Sequence, residues 1–549
     1  MPSAADTDSP DLPESGGPAV AETEPGSALS DWLSIAVFVA IAAAAIAVIR
    51  HTNRDQWFFL DEWDFLADRD LRSLDDLFRP HNDHWQTIPI VLYRSLFRYV
   101  GLHHYWPYQT LTLAAHVVVA TCVWIIARRI GAKPWIATAS TVTFLFFGTA
   151  RDNLAWGFQV AFTGALAMGL IYLLLVDHDE PDARRDLLGM ACGLSALMFS
   201  GVGVVMVGIG ATVVGLRRGW KSAMAHAIPL MGLFITWFIL YGRHRQGEPA
   251  PRPTLGLLLR GVVWSLVDTA EALTQHWAAA TLIAVFGILG LVLGMGAQSR
   301  FPFTRHGAVI TAMILGMMAQ VVLTNFGRAG GFPIGHGLTA GRYLYLFLAL
   351  GLPAVAWSLS NVSARWPPLT VPMMVLLLVG LPGNIHQLTL SGMDRFVLGS
   401  KDNVLVMAAV SNQTDTPREL EPDLNLMPFV TVGWLRDGYR AGRIPSPPII
   451  APSSRANVLI NFSFQQTFKD TNMTCAPTGE TPIRLKPGDV LQIDARHVML
   501  TNVDPPNGSV GYASQLLGQA DGPVRLAAVV PVRVVVGPEP AEAGISVCR

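Results

Sequence analysis

Eleven runs of roughly 13 to 23 residues carry almost no charge, and they constrain the fold more than anything else in the chain. They are 32–49, 109–127, 134–148, 154–176, 187–199, 201–216, 223–242, 277–297, 307–325, 343–360 and 369–386. A bilayer core takes about 20 apolar residues per helix, so the chain reads as an α-helical polytopic membrane protein of about 11 transmembrane helices. Only 14% of its 549 residues are charged and 51% are hydrophobic. A soluble domain carries roughly 25% charge, so a soluble enzyme is excluded. The net charge of −1 gives no electrostatic reason for a nucleic-acid partner.

Residues 1–30 are rich in Pro, Ser, Ala and acid, without Lys or Arg, and read as a disordered tail. No basic segment precedes 32–49, which therefore reads as a retained span and not a cleaved signal. The block 187–216 is long for one span and short for two. Ser200-Gly201-Val202-Gly203 at its middle favours a hairpin of two short helices. Four basic segments then fall on one side: Arg128-Arg129 to Lys133, Arg184-Arg185, Arg217-Arg218 to Lys221, and Arg300 to Arg305. The positive-inside rule makes that side the cytoplasm. The first outer loop, 50–108, and also 149–153, 243–276, 326–342 and everything after 387 are then outside, with the tail 1–30 in the cytoplasm. The expected location is the plasma (inner) membrane, multi-pass, with an extracytoplasmic C-terminal domain.

The division falls into a transmembrane domain, 31–388, and a C-terminal domain, 389–549. In the latter, 390–445 reads as short helices. The stretches 457–464, 483–493, 497–502 and 524–536 are rich in Val, Ile and Leu, separated by turn signals such as Lys486-Pro487-Gly488-Asp489. This predicts a β-rich, β-sandwich-like domain from about 455. Cys475 and Cys548 lie in this polar part and can pair as a disulfide if it is exported. Cys122 and Cys192 lie in apolar segments and read as small core residues.

The residues able to carry chemistry concentrate in the outer loops. Trp57-Phe58-Phe59-Leu60-Asp61-Glu62-Trp63-Asp64-Phe65-Leu66 sets three carboxylates among aromatics just past a span. On a helix Asp61 and Asp64, three apart, share a face while Glu62 turns away. Carboxylates crowded at an apolar boundary repel and lose solvation, which lifts at least one pKa toward a useful base. In Arg79-Pro80-His81-Asn82-Asp83-His84-Trp85, His81 and His84 with Asp83 can hold a metal or a polar ligand, and Trp85 can stack on a sugar. The short loop 149–153 brings Asp152 close to the membrane surface, ahead of Gln159. Arg328 and Arg342 flank a Gly-rich outer loop, against the usual charge bias; a guanidinium fork suits a lipid phosphate. Plainer roles stand beside each: interfacial anchoring for the aromatics, helix capping for Asp152, headgroup anchoring for the arginines. No P-loop, dinucleotide fingerprint, Gly-x-Ser-x-Gly elbow or Cys-x-x-Cys pair occurs. Ionisable residues such as His116 are rare within the spans, which argues against ion-coupled transport.

These residues resemble the GT-C superfamily of polyprenyl-phosphate-sugar-dependent membrane glycosyltransferases. The resemblance rests on Asp61-Glu62 shortly after the first span, on the short-hairpin helices and on Arg342 in a late outer Gly-Arg-Tyr, and covers roughly 50–390. Trp57 to Leu175 is also similar to a group of actinobacterial membrane proteins. The resemblance implies an inverting hexosyl- or pentosyltransferase working outside the membrane, where nucleotide sugars are not available and a donor must come through the bilayer. Its donor would be a polyprenyl-phosphate sugar, and its acceptor a glycan, lipid or protein of the cell envelope. It implies Asp61 as general base with Glu62 as the second catalytic carboxylate, and Arg342 with Arg328 on the donor phosphate. Asp64, His81, His84, Trp85, Asp152 and Gln159 would support the site or bind acceptor. A divalent cation, Mg or Mn, stays open, with Asp61, Asp64 and Asp152 as its ligands. The rival readings are a translocator of lipid-linked glycan or polysaccharide, and a non-catalytic glycan-binding membrane protein.

Overall fold

The computed structural model describes residues 25–243, 252–328, 334–390, 394–424, 426–467, 473–479, 481–493, 497–502, 511–516, 524–536 and 544–549. Most of the expected tail, 1–24, lies outside these residues. Pro25 already begins the first helix, α1 (Pro25–Thr52), which therefore takes in 25–30. The first loop folds into α2 (Glu62–Ala67), α3 (Leu74–Phe78) and the amphipathic α4 (Thr87–Tyr99). The bundle continues with α5 (Trp106–Arg129), α6 (Pro134–Leu145), the single turn α7 (Asp152–Ala155), α8 (Val160–Val176), α9 (Ala183–Phe199), α10 (Val202–Arg218) and α11 (Trp220–Trp237). It closes with α12 (Leu255–Thr274), α13 (Trp277–Gly296), α14 (Arg305–Arg328), α15 (Gly341–Arg365), α16 (Thr370–Leu378) and α17 (Leu381–Thr389). The central strut is α15, buried along nearly its whole length between α5, α6, α13 and α14.

Among the described residues, eight helical segments are long and apolar enough to cross a membrane. The expected spans 134–148, 187–199 and 201–216 form α6, α9 and α10, of 12, 17 and 17 residues. At 1.5 Å per residue these are roughly 18 to 26 Å long, short of a hydrocarbon core of roughly 30 Å. The eight are thus a subset of the eleven expected spans; the other three are helical but shorter. The expected hairpin is present as α9 and α10, parted at Ser200-Gly201. The stretch 243–276, expected as an outer loop, contains the 20-residue α12. Arg260, Asp268 and Glu271 interrupt its apolar pattern, which hid it.

The four basic segments do meet at one end of the bundle. Arg129, Arg185, Arg217 and Arg305 line a cavity of about 300 Å³ together with Asp177, His178 and Asp179. Arg217 is ion-paired with Asp177 and Asp179, and Arg218 grips Asp186 at 2.8 and 3.0 Å. Arg128 pairs with Asp31, near the start of α1, at 2.9 Å.

After α18 (Asp394–Ser411), α19 (Val432–Arg440) and α20 (Pro452–Asn461) come nine strands: β1 (Phe464–Gln466), β2 (Cys475–Pro477), β3 (Ile483–Leu485), β4 (Val490–Ile493), β5 (His497–Asn502), β6 (Gly511–Leu516), β7 (Val524–Ala528), β8 (Val532–Val536) and β9 (Ile545–Cys548). They form two sheets, ordered β1-β7-β4-β9-β2 and β3-β8-β5-β6, around a shared core that includes Leu491 and Leu526 from one and Ile483 and Val534 from the other. The expected strand 457–464 is mostly helix: Pro452 presets the first turn of α20, whose second half buries Val458 and Ile460. Cys475 and Cys548 pair across β2 and β9 and are disulfide-bonded. The segment before the strands packs on the first loop. Trp63 Nε1 donates to the Leu426 carbonyl at 3.2 Å, and Leu102 N to that of Arg443 at 2.7 Å. Gly101, at φ 64°, makes the second contact possible, since a Cβ there would collide with the Arg443 carbonyl.

Candidate active site

The helices that carry basic residues at one end carry a cavity of about 610 Å³ at the other. Asp61, His84, Gln159, Arg328 and Arg342, all singled out in the sequence, line it.

Asp61 reaches the cavity because of the backbone just before it. Leu60 sits in the left-handed region, φ 49°, a conformation costing on the order of 1–3 kcal/mol for such a residue. The full burial of Trp57, Phe58, Phe59 and Trp63 on either side fixes it there. Asp61 then occupies the cap position of α2 without using its carboxylate as a cap, and its side chain stays 40% exposed.

The three-residue spacing places Asp61 and Asp64 against one imidazole. His81 Nδ1 is 2.6 Å from Asp64 Oδ2, and Nε2 is 3.7 Å from Asp61 Oδ1. Behind them, buried Arg69 donates to both oxygens of Asp64 at 2.9 and 2.8 Å, and its remaining N–H groups reach the carbonyls of Asp76, Arg79 and Pro80. Every donor of that guanidinium is therefore used. Burial pushes the Asp64 carboxyl upward, but His81 and Arg69 outweigh it and hold it at about 2. Burial works to lower the His81 pKa; hydrogen bonds and charge from Asp61 and Asp64 prevail, and it is raised.

Both histidines are presented by one tight turn. Asn82 and Asp83 adopt φ of 47° and 65°, and His81 and His84 exchange backbone hydrogen bonds of 3.1 and 2.9 Å. This is the two-residue hairpin of type I′, for which Asn and Asp are suited because they tolerate left-handed backbone. The His84 ring approaches the break between α9 and α10 so closely that a Cβ on Gly201 would lie 2.9 Å from its Nδ1. Burial, helped by the charge of Arg328, holds His84 at about 4, so it is neutral.

Glu62 turns the other way. Its carboxylate accepts from Tyr93 Oη at 2.7 Å, Tyr105 Oη at 2.9 Å and the Phe59 N–H at 3.1 Å, and it is fully buried. Burial lifts it to about 7 against those hydrogen bonds. It does not line the cavity. Trp85 is also packed elsewhere, stacked on Trp237 at 5.3 Å with its Nε1 donating to Thr87 Oγ1 at 2.7 Å, so no sugar can stack on it. Asp152 opens α7, caps nothing with its side chain and does not line the cavity. Its neighbour Asn153 instead donates to the Arg342 carbonyl at 3.2 Å.

Arg328 ends α14 and Arg342 begins α15. Their guanidinium groups lie 5.6 and 5.3 Å from the centroid of the Tyr343 ring. The expected metal ligands do not converge. Both oxygens of Asp64 are taken by Arg69 and His81, Asp152 is outside the cavity, and among the described residues no three His, Cys, Asp or Glu side chains group to hold an ion. Asp61, Asp64 and Asp152 therefore do not form a metal site together.

Four further lining residues were not assigned from the sequence. Gln86 Oε1, Ser200 Oγ, Gln320 Oε1 and Tyr343 Oη are buried and have no hydrogen-bond partner among the described residues. The available signals were slight: a lone Gln in an otherwise apolar helix, and a Ser at a helix break.

Fold and site together define a polytopic α-helical membrane protein with an arginine-lined polar cavity at one end of its bundle. No protein-family model matches the chain, and no curated protein does. Among solved structures the chain is similar to ArnT from Cupriavidus metallidurans bound to undecaprenyl phosphate, with 14% identity and a TM-score of 0.42 over 72% of this chain and 84% of that one. The apo state of the same protein gives 14% identity and a TM-score of 0.44 over 74% and 85%.

Proposed function

We propose that this protein is an inverting glycosyltransferase that moves a sugar from a polyprenyl-phosphate donor to a hydroxyl of a cell-envelope acceptor on the extracytoplasmic side. The observation that carries this reading is that a half-exposed carboxylate, Asp61, and two guanidinium groups, Arg328 and Arg342, line the same cavity. The sidedness follows from the basic loops at the far end, which the positive-inside rule assigns to the cytoplasm.

The chemistry needs one base and a stabilised leaving group. The acceptor oxygen attacks the anomeric carbon while Asp61 takes its proton. The bond from that carbon to the phosphate oxygen breaks, and its electron pair leaves with the polyprenyl phosphate. A single displacement inverts the centre and needs no enzyme nucleophile, as in inverting glycosidases. Arg328 and Arg342 would neutralise the charge growing on the phosphate. His81, held by Asp64, which Arg69 holds in turn, is a positioning residue 3.7 Å from Asp61. No step is routed through a metal.

The test is transfer from radiolabelled polyprenyl-phosphate sugars to envelope acceptors in membranes carrying Asp61→Asn. A loss of about 10²–10⁴-fold with normal membrane insertion is expected. Turnover that survives the substitution removes the base and the reading with it.

A further inference from the structure

Five cavity-lining residues carry a buried polar atom without a partner among the described residues; besides Trp156 Nε1, a donor, the other four come from four separate elements. Gln86 precedes α4, Ser200 sits between α9 and α10, Gln320 lies within α14 and Tyr343 in the first turn of α15. Each residue is at least nine-tenths buried. A buried acceptor or hydroxyl without a partner is costly, and four that line one cavity are poised for a ligand that brings hydrogen-bond donors.

Their chemistry narrows that ligand. The amide of Gln320 is oriented, because its Nε2 donates to Thr324 Oγ1 at 3.1 Å and leaves Oε1 as the open acceptor. Two amide carbonyls accept only, while the Ser200 and Tyr343 hydroxyls can donate or accept. Carbonyl oxygens repel a phosphate and welcome O–H groups. Of the cations that suit a phosphate, Arg328 follows Gln320 by eight residues of α14, roughly 12 Å along the axis. The two lining carboxylates, Asp61 and Asp83, are on the more exposed part of the cavity. The cavity thus carries both guanidinium groups and neutral acceptors. Tyr343 joins them, its ring against the guanidinium groups and its hydroxyl among the orphaned atoms.

We infer that Gln86, Ser200, Gln320 and Tyr343 form the subsite that reads the hydroxyl groups of the transferred sugar, and that this sugar is a neutral polyhydroxylated ring. The inference rests on the glycosyl-transfer reading above and adds to it which residues choose the sugar.

The experiment measures binding of defined lipids to the full chain in nanodiscs. The probes are bare undecaprenyl phosphate and its glucosyl, mannosyl, galactosyl, arabinofuranosyl and glucosaminyl forms. At least one glycosylated lipid is expected to bind the wild type about tenfold more tightly than the bare lipid. Gln320→Leu and Ser200→Ala are each expected to erase most of that preference while leaving bare undecaprenyl phosphate binding unchanged. Tyr343→Phe removes one hydroxyl with minimal change of shape, and should lower the preference severalfold even where Gln320→Leu folds poorly. Arg342→Ala should weaken all the lipids together. The inference is overturned if no glycosylated lipid binds more tightly than the bare one, or if the variants weaken bare and glycosylated lipids equally. Tighter binding of a glucosaminyl lipid than of every neutral one overturns the neutral assignment. Failure of the wild type to bind even bare undecaprenyl phosphate is a different result, which defeats the glycosyl-transfer reading itself.

Discussion

Both ends of the helical bundle are rich in arginine, yet they use it differently. At the end carrying the basic loops, Arg217 is matched to Asp177 and Asp179, Arg218 to Asp186, and Arg128 to Asp31. Charge there is matched to charge and ties successive helices together. At the other end the Arg342 guanidinium rests on the face of Tyr343, the Asp61 side chain is 40% exposed, and buried polar atoms on the cavity wall have no partner among the described residues. The contrast separates paired charges that tie helices together from polar groups gathered around a cavity. It also explains why the same residue type is structural in one place and a candidate for chemistry in the other.

The comparison can be broken most sharply at Asp61. Asp61→Asn should leave thermal stability nearly unchanged, since the carboxylate caps nothing, while transfer falls by about 10²–10⁴-fold. A fall in thermal stability with activity intact would reverse the assignment of the two ends. Arg217→Ala is the mirror experiment. Leaving Asp177 buried and unpaired should cost about 3–5 kcal/mol of stability, read from thermal unfolding in detergent, with turnover per folded molecule unchanged.

Asp64 sharpens the contrast, because it is a matched charge inside the ligand-binding end. Asp64→Asn strands Arg69, whose side chain is 2% exposed, and releases His81. Stability and turnover should therefore fall together, the stability loss again about 3–5 kcal/mol. With Asp64 held at about 2 in the folded protein and an ordinary value of 3.8, its stabilisation is complete above pH 4 and is lost as the pH falls toward 2.

The smallest effect concerns Glu62, whose pKa is raised from 4.5 to about 7. The folded state then binds more protons than the unfolded one between these values, so stability declines as pH rises through that window and levels off above it. The decline is on the order of 3 kcal/mol. Glu62→Gln should flatten the curve of melting temperature against pH between about 4.5 and 7. An unchanged slope would place the titration elsewhere.

Much of this was legible because charge is scarce in the chain. In a sequence dominated by apolar blocks, Asp61, His84, Arg328 and Arg342 stand out, and each lines the cavity. The i, i+3 spacing that aligns Asp61 with Asp64 and turns Glu62 away follows from helical geometry alone. Gln86, Ser200 and Gln320 were not legible: a single neutral polar residue in an apolar run reads as packing until the facing helices are known. Trp85 was misjudged because aromatic character alone does not reveal whether another indole already covers the ring. The helix α20 was hidden for a related reason, since Val458-Leu459-Ile460 suits a buried strand or a buried helix equally and Pro452 upstream decides it.

The turn from His81 to His84 has a consequence for how such a cavity can diverge. Two imidazoles mounted on a minimal hairpin form one bracket: one lies 3.7 Å from the Asp61 carboxylate while the other nests against the break before α10. Lengthening that bracket by one residue would shift both rings at once, coupling the geometry of proton removal to the width of the chamber. Homologues with altered acceptors should therefore show changes at this loop as a unit, and a swap of the whole loop should transplant more function than any single substitution within it.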